Sequence, residues 1–199
     1  MRSAGRSYPV RMDRKLKIAV LVGSLREKSL SQLVAKTLAE LAQPTLELVF
    51  PKIGDLPLYN EDLEANVPKP WQRFRDEIRD VKAAIFITPE YNRSVPGVLK
   101  NAVDVGSRPY GQGAWSGKPA AVVSHSRGSM GGFGASHHLR QALVFLDMAA
   151  MPQPEVYLAN SNKLFDATGT MTNDGVRALL QAMLQKFEVW IRQFMNRGR

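Results

Sequence analysis

The chain contains no cysteine. That excludes disulfides, thiolate zinc sites, iron–sulfur clusters and a cysteine nucleophile. Histidine is scarce: His125, His137 and His138. Adjacent residues do not share a helix face, so His137 and His138 make a poor metal pair, and no metal site is expected. No apolar run approaches the length needed to span a bilayer. Neither the GxGxxG spacing of dinucleotide folds nor the GK[ST] of P-loops occurs, which disfavours ATP and a direct Rossmann NAD site. Acidic residues are in deficit, 18 against 27 Lys and Arg, for a net charge of +9. Part of that charge sits in Arg2, Arg6, Arg11, Arg14 and Lys15. This Arg- and Ser-rich start lacks an apolar segment, so it is not a secretory signal. Residues 1–14 are expected to be a disordered basic extension, with Met12 a second candidate start, and residues 15–199 one domain. The other cations are scattered, which suits anionic small molecules better than a nucleic-acid stripe. Nucleic-acid and membrane partners are not expected, and the location is expected to be cytoplasmic.

The most informative stretch is Gly23-Ser24-Leu25-Arg26-Glu27-Lys28-Ser29. It follows an apolar run, Ile18 to Val22, that reads as a buried parallel strand. It precedes Leu30, Leu33, Val34, Leu38 and Leu41 at helical spacing. A strand therefore meets a helix N-terminus through a small, hydroxyl-rich, basic loop. Such a junction gathers free backbone N–H groups, hydroxyls and the positive end of a helix dipole, which suits a phosphate monoester. Arg26 adds a planar fork for phosphate oxygens. The plainer alternative is an ordinary turn with Ser29 or Ser31 as the helix cap.

Strand and helix patterns alternate along the rest of the chain. Leu46 to Phe50 reads as a second strand, and Pro57 to Pro70 as a loop. Trp71, Phe74, Ile78 and Val81 mark a helix. Ala83 to Ile87 is a third strand, stopped by Pro89. A helix starts near Pro96, and Ala120 to Val123 is the fourth strand. A helix covers Ala135 to Met148. A fifth strand begins at Glu155 to Leu158, and a long final helix follows a cap at Thr172 or Asn173. Five strands alternating with five helices predict an open parallel sheet covered on both faces. Two strand orders are common for such sheets. In the flavodoxin-like order, 2-1-3-4-5, the ends of strands one and three meet at the switch point where ligands bind.

In that order the loop Pro89-Glu90-Tyr91-Asn92-Arg93-Ser94-Val95-Pro96-Gly97 lies beside Ser24-Leu25-Arg26. A phosphate cradle and an aromatic, polar wall then face one crevice. FMN, with one terminal phosphate and one planar ring, fits. The alternative is that Pro89 and Pro96 only stiffen a connection. Gly128, Gly131, Gly132 and Gly134 either let backbone approach a ligand or form a mobile loop. His125 is read as a solvated loop residue, and Glu90 as a structural residue near the ring.

These two motifs resemble the NADPH-dependent FMN reductase family, a flavodoxin-like group with bacterial chromate and quinone reductases and azoreductases. The similarity runs over Gly23-Ser24-Leu25-Arg26 with Ser29, then Pro89-Glu90-Tyr91-Asn92 and Ser94 to Asp104. Gly117-Lys118-Pro119 and His138-Leu139-Arg140-Gln141 share it. The resemblance implies a flavodoxin-like three-layer sandwich with a five-stranded parallel sheet. It implies FMN held at its phosphate by Ser24, Arg26, Ser29 and residues near Ser31, including Gln32. It places the ring at Pro89, Glu90, Tyr91 and Asn92, with a contribution from Ser124 to Gly132, where Ser124 and Gly131 are the named contacts. Ser31 stands where many relatives have Asn. Arg93 stands where some quinone-reducing relatives carry an aromatic residue; arginine there favours an anionic partner, such as the NADPH phosphates, over an apolar quinone, and with Arg108 it favours NADPH over NADH. The implied activity is ping-pong hydride transfer through the flavin from NAD(P)H to quinone, flavin, azo or chromate-type acceptors. The cofactor carries the chemistry, so no catalytic side chain is expected. A homodimer or homotetramer is implied. The alternative is a flavodoxin-like electron carrier without NAD(P)H turnover, although such carriers are usually acidic.

Overall fold

The apolar runs become adjacent parallel strands in the computed structural model, which describes residues 15–197. The basic stretch 1–14 lies outside the described residues. The elements are β1 (Leu16–Val22), α1 (Leu30–Leu41), β2 (Leu46–Val49), α2 (Lys69–Asp80), β3 (Ala83–Pro89) and α3 (Gly97–Gly106). They continue with β4 (Pro119–His125), α4 (Phe133–Phe145), β5 (Ala149–Ala150), β6 (Val156–Leu158) and α5 (Asp174–Arg197). The strand order is β2-β1-β3-β4-β5, the flavodoxin-like order, and β6 also pairs with β4.

Alternation along each strand divides the core in two. Ile18, Val20, Ile85, Ile87 and Val123 point to the face covered by α1 and α5, where Val34, Leu38, Leu184 and Phe187 are buried. Ala19, Leu21, Ala84, Phe86 and Val122 point to the face covered by α2, α3 and α4, where Trp71, Phe74, Leu99, Trp115 and Leu139 are buried. Both faces are covered, which is why β1, β3 and β4 read as continuous apolar runs rather than alternating ones.

Three boundaries differ from the sequence reading. The fifth strand is broken: β5 pairs with Pro119 and Ala120, whereas β6 pairs with Val123, Ser124 and His125. Pro152 and Pro154 fall in the gap and have no N–H to give the ladder. Helix α4 ends at Phe145, and Asp147 turns the chain with φ at +57°. The stretch read as a loop from Pro57 holds a 3₁₀ turn, Glu61–Asn66, before α2 begins at Lys69.

That 3₁₀ turn has a role. Arg75 of α2 is buried, yet each nitrogen of its guanidinium has a partner. Nη2 and Nη1 donate to the two Glu64 oxygens at 2.6 and 3.1 Å, and Nε donates to the Val105 carbonyl at 2.9 Å. The ring of Trp71 lies beneath it at 5.4 Å. Removing one partner of a buried pair strands the other charge. Glu64→Ala is therefore expected to lower unfolding free energy by about 3 kcal/mol in urea titration. Lys100→Ala, which breaks an exposed pair with Asp104, is expected to change it by under about 0.5 kcal/mol. Equal losses would contradict this account.

Candidate functional site

The C-terminal ends of β1, β3 and β4 open on one edge of the sheet. Gly23 leaves β1 pressed against β3: its N–H donates to the Ile87 carbonyl at 2.8 Å. A Cβ there would sit 3.0 Å from that carbonyl and 3.1 Å from Leu99, so only glycine passes easily. The chain then turns through Ser24, whose hydroxyl accepts from the Arg26 N–H at 3.4 Å. Ser29, not Ser31, caps α1: its hydroxyl accepts from the Ser31 N–H at 3.1 Å. The first turn of α1 holds no acidic residue. Its positive dipole end is thus left uncompensated.

A cavity of about 260 Å³ lies over this turn. Ser24, Arg26, Ser29 and Ser31 line one side, Pro89, Glu90 and Tyr91 a second, and His125, Ser126, Arg127 and Ser161 a third. A second opening of about 360 Å³ shares Ser24, Arg26 and Tyr91 with it and runs along Pro96, Gly97 and Val98. Together they form an extended crevice at the switch point between β1 and β3. Among the described residues, neither Arg26 nor Arg127 has a carboxylate partner. Hydroxyls, unpaired guanidinium groups and an acid-free helix N-terminus are the donor set of a phosphate monoester, and Pro89, Tyr91 and Val98 supply an apolar wall. The residues present fit FMN. A larger cavity of about 450 Å³ opens beside Val49, Phe50 and Lys17. Asp76, Glu77 and Asp80 line it, and Lys17 is paired with Asp80, so it suits an anion poorly.

The loop after β3 is a tight turn. Tyr91 and Ser94 exchange backbone hydrogen bonds at 2.9 Å, with Asn92 at φ +51° and Arg93 at φ +65°. Asn adopts this conformation readily and Arg does not. Two contacts to α4 hold the turn. Glu90 accepts from the Ala135 N–H at 3.2 Å, and the Ser94 hydroxyl meets His138 Nδ1 at 2.7 Å. Gly132, the residue before α4, offers no side-chain cap, so the Glu90 carboxylate supplies one from another element. Arg93 reaches Glu90 at 3.5 Å but is 73% exposed, and it lines neither opening.

Other predicted residues lie elsewhere. Gln32 is exposed on α1 and does not line the crevice, nor does Asn92. The Ser124 hydroxyl is buried and donates to the Gly131 carbonyl at 2.9 Å. A Cβ on Gly131 would come 2.7 Å from the Tyr157 carbonyl carbon, so the tight approach of this loop is to β6. Arg108 sits in a separate cavity between α3 and α4, with its guanidinium 5.7 Å over Tyr59.

His125 departs most from expectation. It is not solvated but 4% exposed, because β4 runs on through Ser124 to His125 and pairs there with Leu158. Its Nε2 meets the Ser31 hydroxyl at 2.8 Å and its Nδ1 the Ser161 hydroxyl at 3.3 Å. Ser161 carried no sequence signal; it arrives from a 3₁₀ turn after β6. Burial alone pushes the imidazole down from 6.5 to about 4. The folded protein therefore refuses a proton that the unfolded chain accepts below about pH 6.5. Stability from this group is complete above that pH and falls by up to about 3 kcal/mol as pH drops toward 4. Urea midpoints measured from pH 7 to 4.5 are expected to fall more steeply for the wild type than for His125→Gln. Parallel curves would contradict a neutral buried ring.

Residues 16–163 match the family model for NADPH-dependent FMN reductase. A quinone reductase from Pseudomonas putida is 58% identical over 188 residues, covering 94% of this chain and 100% of that protein. A 2-hydroxy-1,4-benzoquinone reductase from a Burkholderia species is 43% identical over 89% of this chain and 97% of its own. Among solved structures, the flavoenzyme NAD(P)H:(acceptor) oxidoreductase FerB from Paracoccus denitrificans superposes with a TM-score of 0.84 at 41% identity. It covers 90% of this chain and 98% of that one. Crevice, topology and kinship agree on an FMN-dependent NAD(P)H oxidoreductase: the chain belongs to the NADPH-dependent FMN reductase family.

Proposed function

We propose that this enzyme reduces quinones with NADPH, and that its FMN lies in the crevice at the switch point. The phosphate lies at Ser24, Arg26, Ser29 and Ser31; the ring lies against Pro89, Glu90 and Tyr91, while Asn92, outside the lining, shapes the turn that carries Tyr91. The observation that carries this reading is the crevice itself. It joins an acid-free helix N-terminus and an unpaired guanidinium to the Tyr91 loop. When bound, FMN supplies the redox chemistry, accepting a hydride equivalent from NAD(P)H and giving it to the acceptor. The protein's part is to bind and orient. The cap and hydroxyls hold the phosphate end, and Glu90 and His138 pin the Tyr91–Ser94 turn that forms the wall. An open crevice lets donor and acceptor use the same space in turn, which gives ping-pong kinetics.

Quinones are favoured as acceptors because relatives at 58% and 43% identity bear quinone names. Free flavin, azo dyes and chromate serve as competing acceptors in the assay. NADPH is favoured over NADH by Arg93, an exposed cation on the loop that carries Glu90 and Tyr91. Arg108 lies in the other cavity and plays no part in this reading. A second copy of this chain is proposed for the apolar surface of Tyr110 and Phe145, which line one opening and are 83% and 76% exposed. No helix among the described residues is long and apolar enough to cross a membrane.

If Arg26 holds the phosphate, Arg26→Ala weakens FMN binding by roughly tenfold or more, through loss of a charge-assisted contact. Riboflavin, without a phosphate, is nearly indifferent. Fluorescence titration of both flavins decides it, and equal losses would refute the phosphate assignment.

Arg93→Ala is expected to raise the KM for NADPH about threefold at low salt and less at high salt, as an exposed contact contributes under about 1 kcal/mol. The strain at this left-handed position is common to Arg and Ala, so it cancels in the comparison. The KM for a neutral quinone stays the same or falls. Steady-state kinetics at two ionic strengths check this; an unmoved NADPH KM removes Arg93 from nucleotide binding.

A further inference from the structure

His125 ties together three segments that flank the crevice: the end of β4, the first turn of α1 and the turn after β6. Each of its ring nitrogens faces a serine hydroxyl, Ser31 at 2.8 Å and Ser161 at 3.3 Å. All three residues line the same cavity and are almost fully buried. Counting protons limits what this trio does. A neutral imidazole has one N–H, and each hydroxyl has one O–H. The charged groups on the same cavity favour the neutral ring. Arg26 and Arg127 are cations, and the carboxylate of Glu90 is engaged by the Ala135 N–H and Arg93.

The chain of hydrogen bonds therefore runs in one of two directions. In the first, Ser31 donates to Nε2 and Nδ1–H donates to Ser161. The Ser31 proton is then consumed, and its oxygen has nothing to offer an anion. In the second, Ser161 donates to Nδ1 and Nε2–H donates to Ser31. The Ser31 proton is then free, and it lies at the dipole end of α1, two residues from the cap at Ser29. Successive bonds in such a chain polarise one another toward the anion.

We propose that His125 is a positioning residue for the flavin phosphate: phosphate occupancy selects the Nε2–H tautomer, which turns the Ser31 hydroxyl proton into the cradle. This rests on the placement of the phosphate argued above. It gives Ser31 a donor strength that an isolated serine lacks. It also makes the Ser161 hydroxyl, far along the chain, part of phosphate recognition.

The test uses apoprotein titrated with FMN and with riboflavin, together with nitrogen NMR of histidine-labelled protein. The FMN complex of the wild type is expected to carry its His125 proton on Nε2. His125→Leu is expected to lower the preference for FMN over riboflavin by roughly tenfold, with riboflavin affinity unchanged. Ser31→Ala is expected to do the same, and the double variant to add nothing further, since both act through one hydroxyl. His125→Gln, whose amide N–H takes the place of Nε2–H, is expected to retain most of the preference. A proton on Nδ1 in the FMN complex would overturn the proposal, as would equal loss of FMN and riboflavin in His125→Leu. Should that variant fail to fold, the wild-type NMR measurement decides alone. A wild type that binds riboflavin as tightly as FMN would instead overturn the phosphate placement itself, with the tautomer assignment falling as a consequence.

Discussion

The helix dipole at the start of α1, which no acidic side chain answers, is the interaction on which the site depends. The Ser29 hydroxyl takes the Ser31 N–H and its carbonyl the Gln32 and Leu33 N–H groups, yet no acidic side chain answers the dipole of that turn. A turn in this condition is a phosphate site in waiting. Its position follows from topology. Strands β1 and β3 are neighbours, whereas α1 and α3 pack on opposite faces of the sheet, so the loops after the two strands diverge and leave a crevice. Gly23 lets the first loop leave β1 within contact distance of β3.

The second wall of the crevice is held from across the sheet edge. Helix α4 follows a glycine and borrows Glu90 as its cap, while His138 on the same helix meets Ser94. One carboxylate therefore stabilises a helix terminus and fixes the turn that carries Tyr91. The left-handed conformations of Asn92 and Arg93 follow from how tightly that turn is closed. Strain of this kind persists where surrounding contacts over-determine the backbone, and it commonly marks functional loops.

Local patterns in the sequence carried most of the fold. Apolar runs at Ile18, Ala83 and Ala120 marked the central strands, and helical spacing after Ser29 marked α1. The candidate phosphate loop was legible for the same reason, since strand, small residues and helix follow one another within a few positions. Features made by distant residues were not legible. The pairing of Arg75 with Glu64 and Val105 depends on where the 3₁₀ turn lands, which no periodicity reports. His125 looked like a loop residue because the apolar run stops at Val123; only its pairing with Leu158 carries the strand on and buries the ring. The break between β5 and β6 was foreshadowed by Pro152 and Pro154, yet the two residues of β5 are too few to form a pattern of their own.

In the proposed reading, FMN bound at this crevice takes electrons from NAD(P)H and passes them on. Anaerobic stopped-flow on the flavin-loaded protein tests it most directly. Mixing with NADPH is expected to bleach the flavin absorbance at a rate that saturates with NADPH, and a quinone added afterwards is expected to restore it in one turnover. A flavin absorbance that NADPH and NADH both leave unchanged would contradict the account.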